Sequence, residues 1–348
     1  MPSASGPIDV PELRALVAKL PPTHPLHSGT NSYREGFIAA FTKVHGRKSV
    51  ARNRLEEDFF VPCNRTFSAK DFVEHAAELS VANHVALKGL PEFETDRRMD
   101  PSTNKRDVDV FYRIGATKVA LEVKCPDEKP KSLGQPTLDF AGRHPDPQGI
   151  FGELRDVLAG AANLPDKMKS LQLAPHYDNK LKDYLVLAHE KFSASADLDG
   201  LNVLLVACGD ELQSWVHYLY ERQGLFTPES YWPVTQFERT QVVLLSNLRY
   251  FHTTAAAYHD WTLRNVFLLP FFNPRAAPFP VSETRIEGLS IFDHHGRAYG
   301  AFIPSSADPR VPTDAMRATK LNHYVHGALS AEDFSRFFPA TERRGERR

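Results

Sequence analysis

Two neighbouring segments constrain the chain more than any other: residues 107–113 (DVDVFYR) and 118–124 (KVALEVK). Each alternates apolar and polar residues with period two, as a strand with one buried face does. Only Ile114-Gly115-Ala116-Thr117 separates them, so they are expected to pair as an antiparallel hairpin, and glycine at the first loop position suits a type II′ turn. In that register Asp109 faces Glu122, and Asp107 faces Lys124. Val108, Val110, Tyr112, Val119, Leu121 and Val123 then share a face that belongs in a core. Asp107, Asp109, Glu122 and Lys124 share the other face with Phe111 and Ala120.

Carboxylates directly opposed across a strand pair have Cβ atoms about 5 Å apart and repel one another. A divalent cation removes that repulsion. Mg²⁺ prefers oxygen ligands and often takes only one or two protein carboxylates, keeping positions for water and a substrate phosphate. Asp109 and Glu122 are therefore candidate ligands, with the Val123 carbonyl as a further oxygen. Lys124 is placed to orient an attacking water, help it lose a proton, or stabilise charge on a phosphate. Asp107 is either a supporting carboxylate or, in a different register, the ligand in place of Asp109. The plainer reading is a solvated face with cross-strand ion pairs such as Asp107 to Lys124, which contribute little. The opposed carboxylates over an apolar underside favour a site.

The surrounding pattern has an order of its own. Ser68 to Asp71 can cap a helix running to about Leu87, with Phe72, Ala76, Leu79 and Val85 as its apolar stripe and Glu74 and Glu78 one turn apart on it. Residues 93–97 follow as a short strand, then the hairpin, then a proline-containing stretch from 125 to 149. Helical spacing returns over 150–162 and 181–192, and 202–208 (NVLLVAC) is a buried strand. Helix with glutamate, strand, strand with Asp109, strand with Glu122-Val123-Lys124, helix, strand: over about residues 68–210 the chain resembles the PD-(D/E)xK, or restriction-endonuclease-like, superfamily. No proline precedes Asp109, a position where many members vary.

That resemblance implies an α/β fold with a small mixed central sheet flanked by helices. It also implies a nuclease that hydrolyses phosphodiester bonds with Mg²⁺, for which Mn²⁺ would substitute. DNA is the substrate expected, in restriction, defence or repair. The catalytic residues would be Asp109, Glu122, Lys124 and Glu78, with Asp107 and Glu74 as possible supporting residues. Double-strand cutting would call for a homodimer. The alternatives are a nuclease-like fold that only binds nucleic acid or a protein, and an unrelated α/β protein with a polar hairpin face.

On this reading residues 1–67 form a helical N-terminal extension, 68–252 the nuclease-like core, and 253–348 a C-terminal region packed on it. In the extension Asp9 is expected to cap a first helix, Tyr33 to Val44 to form a second ended by Gly46, and 49–60 a third. Further on, 211–223 reads as a helix, 241–246 and 266–269 as buried strands, and 289–292 with 298–303 as a hairpin.

Net charge is −1, so nucleic-acid contact has to come from local patches. The run from Lys43 to Arg54 holds Lys43, Arg47, Lys48, Arg52 and Arg54 without an acid, and either contacts phosphates or forms a solvated helix face. Lys167, Lys169, Lys180 and Lys182 form a weaker group. Three separated cysteines, Cys63, Cys125 and Cys208, argue against a disulfide framework or a structural zinc site, and with no leader or membrane span visible a cytoplasmic protein is expected. His294-His295 at a turn and His323 with His326 lack the further ligands that a zinc site needs.

Overall fold

The computed structural model describes residues 6–60, 69–99, 107–126, 137–138, 147–160, 172–173, 177–192, 200–208, 215, 218–219, 224–226, 230–253, 260–264, 266, 268–273, 276, 285 and 287–292. The expected contributions of Cys63, Ser68, Lys167, Lys169, the histidines from 294 onward and the 298–303 strand lie outside them. So does most of the 211–223 helix.

The helices are α1 (Val10–Val17), α2 (Pro25–Ser28), α3 (Asn31–Val44), α4 (Ala51–Arg54), α5 (Ala69–Leu87), α6 (Pro147–Gly160), α7 (Tyr177–Lys191) and α8 (Leu248–Thr253). The strands are β1 (Glu94–Arg98), β2 (Asp107–Ile114), β3 (Thr117–Lys124), β4 (Thr137–Leu138), β5 (Gln172–Leu173), β6 (Gly200–Ala207), β7 (Val242–Ser246) and β8 (Leu268–Phe272). A mixed sheet in the order β1-β2-β3-β6-β7-β8 carries the molecule, and β4 and β5 form a separate pair. The β1-β2 and β2-β3 pairs are antiparallel, β3-β6 and β6-β7 are parallel, and β8 closes the far edge antiparallel. The chain is thus α/β, with helices packed on a mixed six-stranded sheet.

Local chemistry explains the elements. Asp9 caps α1 by accepting the Glu12 N–H at 2.9 Å, and Thr30 caps α3 through the Tyr33 N–H. Gly89, at φ +63, follows the last turn of α5, where a side chain would be strained. Gly115 adopts φ +55 and Ala116 is not left-handed, as a type II′ turn needs, and the pairs from Ile114↔Thr117 to Val110↔Leu121 keep the expected register. β6 and β7 lie in the middle of the sheet, so they are apolar along their length rather than alternating.

The helices before the sheet share its core. Tyr33, Phe37 and Phe59 are buried beside Phe72 and Ala76 of α5, and Trp261 stacks tilted on Tyr33 with ring centroids 4.9 Å apart. Its indole N–H donates to the Tyr33 carbonyl at 2.7 Å. Residues 55–60 continue α4 as a π-helical turn, the wide form that often marks a functional position. The buried strand expected at 266–269 is β8, and it joins the far edge of the sheet. One expectation needs correcting. Residues 289–292 are turn, not strand: Glu287–Leu289 is a 3₁₀ turn packed under the hairpin, where Tyr112 Oη donates to the Gly288 carbonyl at 2.9 Å.

Candidate active site

Backbone pairing between β2 and β3 ends at Val110↔Leu121, one step short of Asp109 and Glu122. The Val123 N–H, which a further rung would use, is donated instead to Asp109 Oδ2 at 2.6 Å. β3 nevertheless stays paired with β6 through Glu122↔Leu204 and Lys124↔Val206. Glu122 is therefore anchored on an interior strand, and Asp109 is tied to that strand through its own carboxylate. Asp109 is thus tied beside Glu122 through the Val123 N–H, rather than in the regular opposed pair expected from the sequence.

Glu122 has 0% of its side chain exposed. Lys124 Nζ lies 2.6 Å from Glu122 Oε1. A second ammonium, Lys191 at the end of α7, lies 2.5 Å from the same oxygen and 3.7 Å from Asp109 Oδ1. Glu122 Oε2 has no hydrogen-bond donor among the described residues. Burial and the charge of Asp109 push Glu122 up to about 7, against the pull of Lys124 and Lys191. Burial works against the charge of Lys124, but Glu122 and Asp109 outweigh it and hold that ammonium above its ordinary value.

From α5, Glu78 faces the same place. Its carboxyl is raised to about 7 by burial and by Asp109, while His75 and Lys124 pull it down. His75 Nδ1 lies 3.2 Å from Glu78 Oε2. Burial disfavours the imidazolium, but Glu78 and Asp58 raise it to about 9. Glu74 lies half-buried one turn earlier on α5. Asp107 lies at the open end of β2 and binds Arg98 at 3.1 Å, not Lys124.

Asp109 and Glu78 line an open cleft together with His45, Arg54, Asp58 and Asp96. Asp96, on β1, lies opposite Asp109 of β2, between the Thr95↔Val110 and Arg97↔Val108 pairs, and takes φ +57. Its carboxylate holds Arg54 at 2.7 Å, and Asp58 lies 3.8 Å from the same guanidinium. Of the basic run, Arg52 is bound to Glu12 at 2.7 Å, Lys48 donates to Thr95 Oγ1, and Lys43 and Arg47 are exposed. Lys182, from the second basic group, lies over the Trp232 ring at 4.4 Å.

Comparison with protein-family models, curated proteins and solved structures gives no match. The site must be judged on its own chemistry.

The donor set is made of hard carboxylate oxygens, one of them a buried Glu122 oxygen lacking a donor, and it suits a hard divalent cation. Among the described residues, no three His, Cys, Asp or Glu side chains already converge as a ligand group. Lys124 and Lys191 stand among the acids. The sequence reading missed Lys191 and His75. Lys191 follows Leu181, Leu185 and Ala188, the buried stripe of α7, at helical spacing, so a cation on the inner edge of that helix was the available signal.

Proposed function

We propose that this chain is a metal-dependent nuclease with a restriction-endonuclease-like core, cleaving phosphodiester bonds in DNA at Asp109, Glu122 and Lys124. One observation carries the reading. Asp109 acts electrostatically on two further acids from separate elements, Glu78 of α5 and Glu122 of β3, beside a lysine two residues after the buried glutamate. The element order supports it: α5 with its glutamate, three antiparallel strands, α6 and α7, and the parallel β6. Isolated salt-bridged faces rarely bury a carboxylate with an oxygen lacking a donor, because that costs several kcal/mol, of order ~3–5 when a partner is missing.

Asp109 and Glu122 would hold Mg²⁺ or Mn²⁺. That ion supplies Lewis acidity toward a phosphate oxygen and lowers the pKa of water. Lys124 Nζ, fixed as a cation, stabilises negative charge building on the phosphate. Glu78, poised near neutrality, is suited to take the proton of the attacking water at its carboxylate. Val108, Val110, Tyr112, Val119 and Leu121 are buried and keep the hairpin rigid beneath these groups. Among the described residues no helix is long and apolar enough to cross a membrane.

Lys191, already neutralising Glu122, favours a second reading, a nuclease-like fold that binds nucleic acid or a protein without cutting. Nicking of supercoiled plasmid separates the two. Wild type should nick with Mg²⁺ or Mn²⁺ and stop with EDTA. Glu122→Gln should abolish nicking, and Lys124→Met should slow it by about a hundredfold or more. Wild type that binds Mn²⁺ and never nicks favours the second reading. Nicking that survives Glu122→Gln refutes the first.

A further inference from the structure

Lys191 belongs to no part of the hairpin signature, yet its ammonium lies as close to Glu122 as Lys124 does: 2.5 Å and 2.6 Å from Oε1. It also reaches Asp109 Oδ1 at 3.7 Å, which makes it a bridge between the two acids. Its side chain is 17% exposed, so it sits largely out of water beside a carboxylate that is wholly out of water. Its backbone is fixed from behind: Arg239 Nη1 donates to the Phe192 carbonyl at 3.2 Å and to the His189 carbonyl at 3.5 Å, holding the end of α7. The C-terminal end of a helix also favours a cation. The flexible part is the four-carbon stem, which lets the ammonium swing without moving the helix.

We propose that Lys191 is a built-in counter-ion occupying the divalent cation's position between Asp109 and Glu122, and that it must leave before a metal enters. This inference rests on the metal site proposed above. An ammonium between two carboxylates neutralises them with a single charge and needs no coordination geometry. A divalent ion in that place brings twice the charge, and Lys191 then repels it. Lys124 touches Glu122 from the side of β3 and does not bridge, so it can remain. Lys191 thus lowers metal affinity and keeps the acid pair compact while the site is metal-free. Its charge should matter more than its shape.

The test is calorimetric titration of Mn²⁺ into the full chain stripped with EDTA, together with melting temperatures in EDTA and in Mn²⁺. Lys191→Met should bind Mn²⁺ about tenfold tighter than wild type, equivalent to about 1.4 kcal/mol. Lys191→Gln, a second neutral variant should the first fold poorly, should do the same. Lys191→Arg should stay with wild type, as should Lys19→Met, which removes an exposed charge elsewhere. In EDTA the neutral variants should melt lower than wild type, and Mn²⁺ should raise them more. Binding by the neutral variants with none by wild type also supports the inference. If Mn²⁺ binds wild type, is lost in Asp109→Asn and is unchanged or weaker in both neutral variants, the inference fails while the metal site stands. If neither wild type nor the neutral variants bind Mn²⁺, both fail.

Discussion

His45 should make the protein acid-labile in a way one substitution removes. The imidazole is 6% exposed, its ring lies 5.3 Å from Phe41, and its Nδ1 has no hydrogen-bond partner among the described residues. Burial, then the charges of Lys48 and Arg54, bring its pKa down to about 3. In the unfolded chain the ring takes a proton near pH 6.5. Between pH 6.5 and about 3 the unfolded state therefore binds a proton that the folded state refuses. The stabilising contribution is complete above pH 6.5 and is lost as the pH falls. The slope is about 1.4 kcal/mol per pH unit, or about 2.7 kcal/mol from pH 6.5 to 4.5. Glu78 and Glu122, raised to about 7, act with the opposite sign: they favour folding in acid, and their contribution fades as pH rises through 7. Raw pH profiles therefore mix the two effects, and the difference from a His45 variant isolates one. Urea unfolding of wild type and His45→Phe from pH 4.5 to 7.5 should show wild type losing stability relative to the variant toward acid, by about 2–3 kcal/mol over that range. His45→Gln should behave likewise. Parallel curves would refute the argument, since an imidazole already protonated in the folded state has no proton left to take up.

Three further outcomes are expected. Gly288→Ala places a Cβ 2.9 Å from Val119 Cγ2 and 3.2 Å from Thr117 Cγ2, and should cost about 1–3 kcal/mol by thermal melting without changing metal affinity. Asp96 lies at φ +57, so Asp96→Val should be less stable than Asp96→Asn by about 1–2 kcal/mol in urea unfolding, since both lose the Arg54 ion pair and only valine is strained. Lys43 and Arg47 are the exposed members of the basic run, so replacing both with alanine should reduce the log–log salt slope of DNA binding by about two, and an unchanged slope would remove that run from the interface.

The hairpin was readable from sequence because period-two alternation and a two-residue loop fix a register with few alternatives. β6 and β7 were readable as continuous apolar runs. The meeting of Asp109 with Glu122 was only partly readable, because alternation assigns faces but does not say where a ladder stops. Here it stops once a carboxylate captures the Val123 N–H. Glu78 could be favoured over Glu74 only by helix phase, and it is Glu78 that Asp109 perturbs. Lys191 was hidden because it comes 67 residues after Lys124, and local periodicity carries no information on which helix end reaches which strand. The basic run shows the opposite failure. Its charges were plain, but Glu12, Thr95, Asp58 and Asp96, which engage three of its members, are remote in sequence or belong to other elements.

The turn at 287–289 bears on how this chain can be taken apart. It seals the underside of the β2–β3 ribbon through Tyr112, Val119 and Thr117, so a fragment ending at residue 252 would lose both that lid and the β8 edge. Such a fragment would carry every proposed reacting group and still present wet valines and a bare strand margin, a recipe for clumping rather than catalysis. In this protein the segment that holds the candidate site and the unit that folds are not interchangeable, and grafting the former would require carrying its distant keystone along.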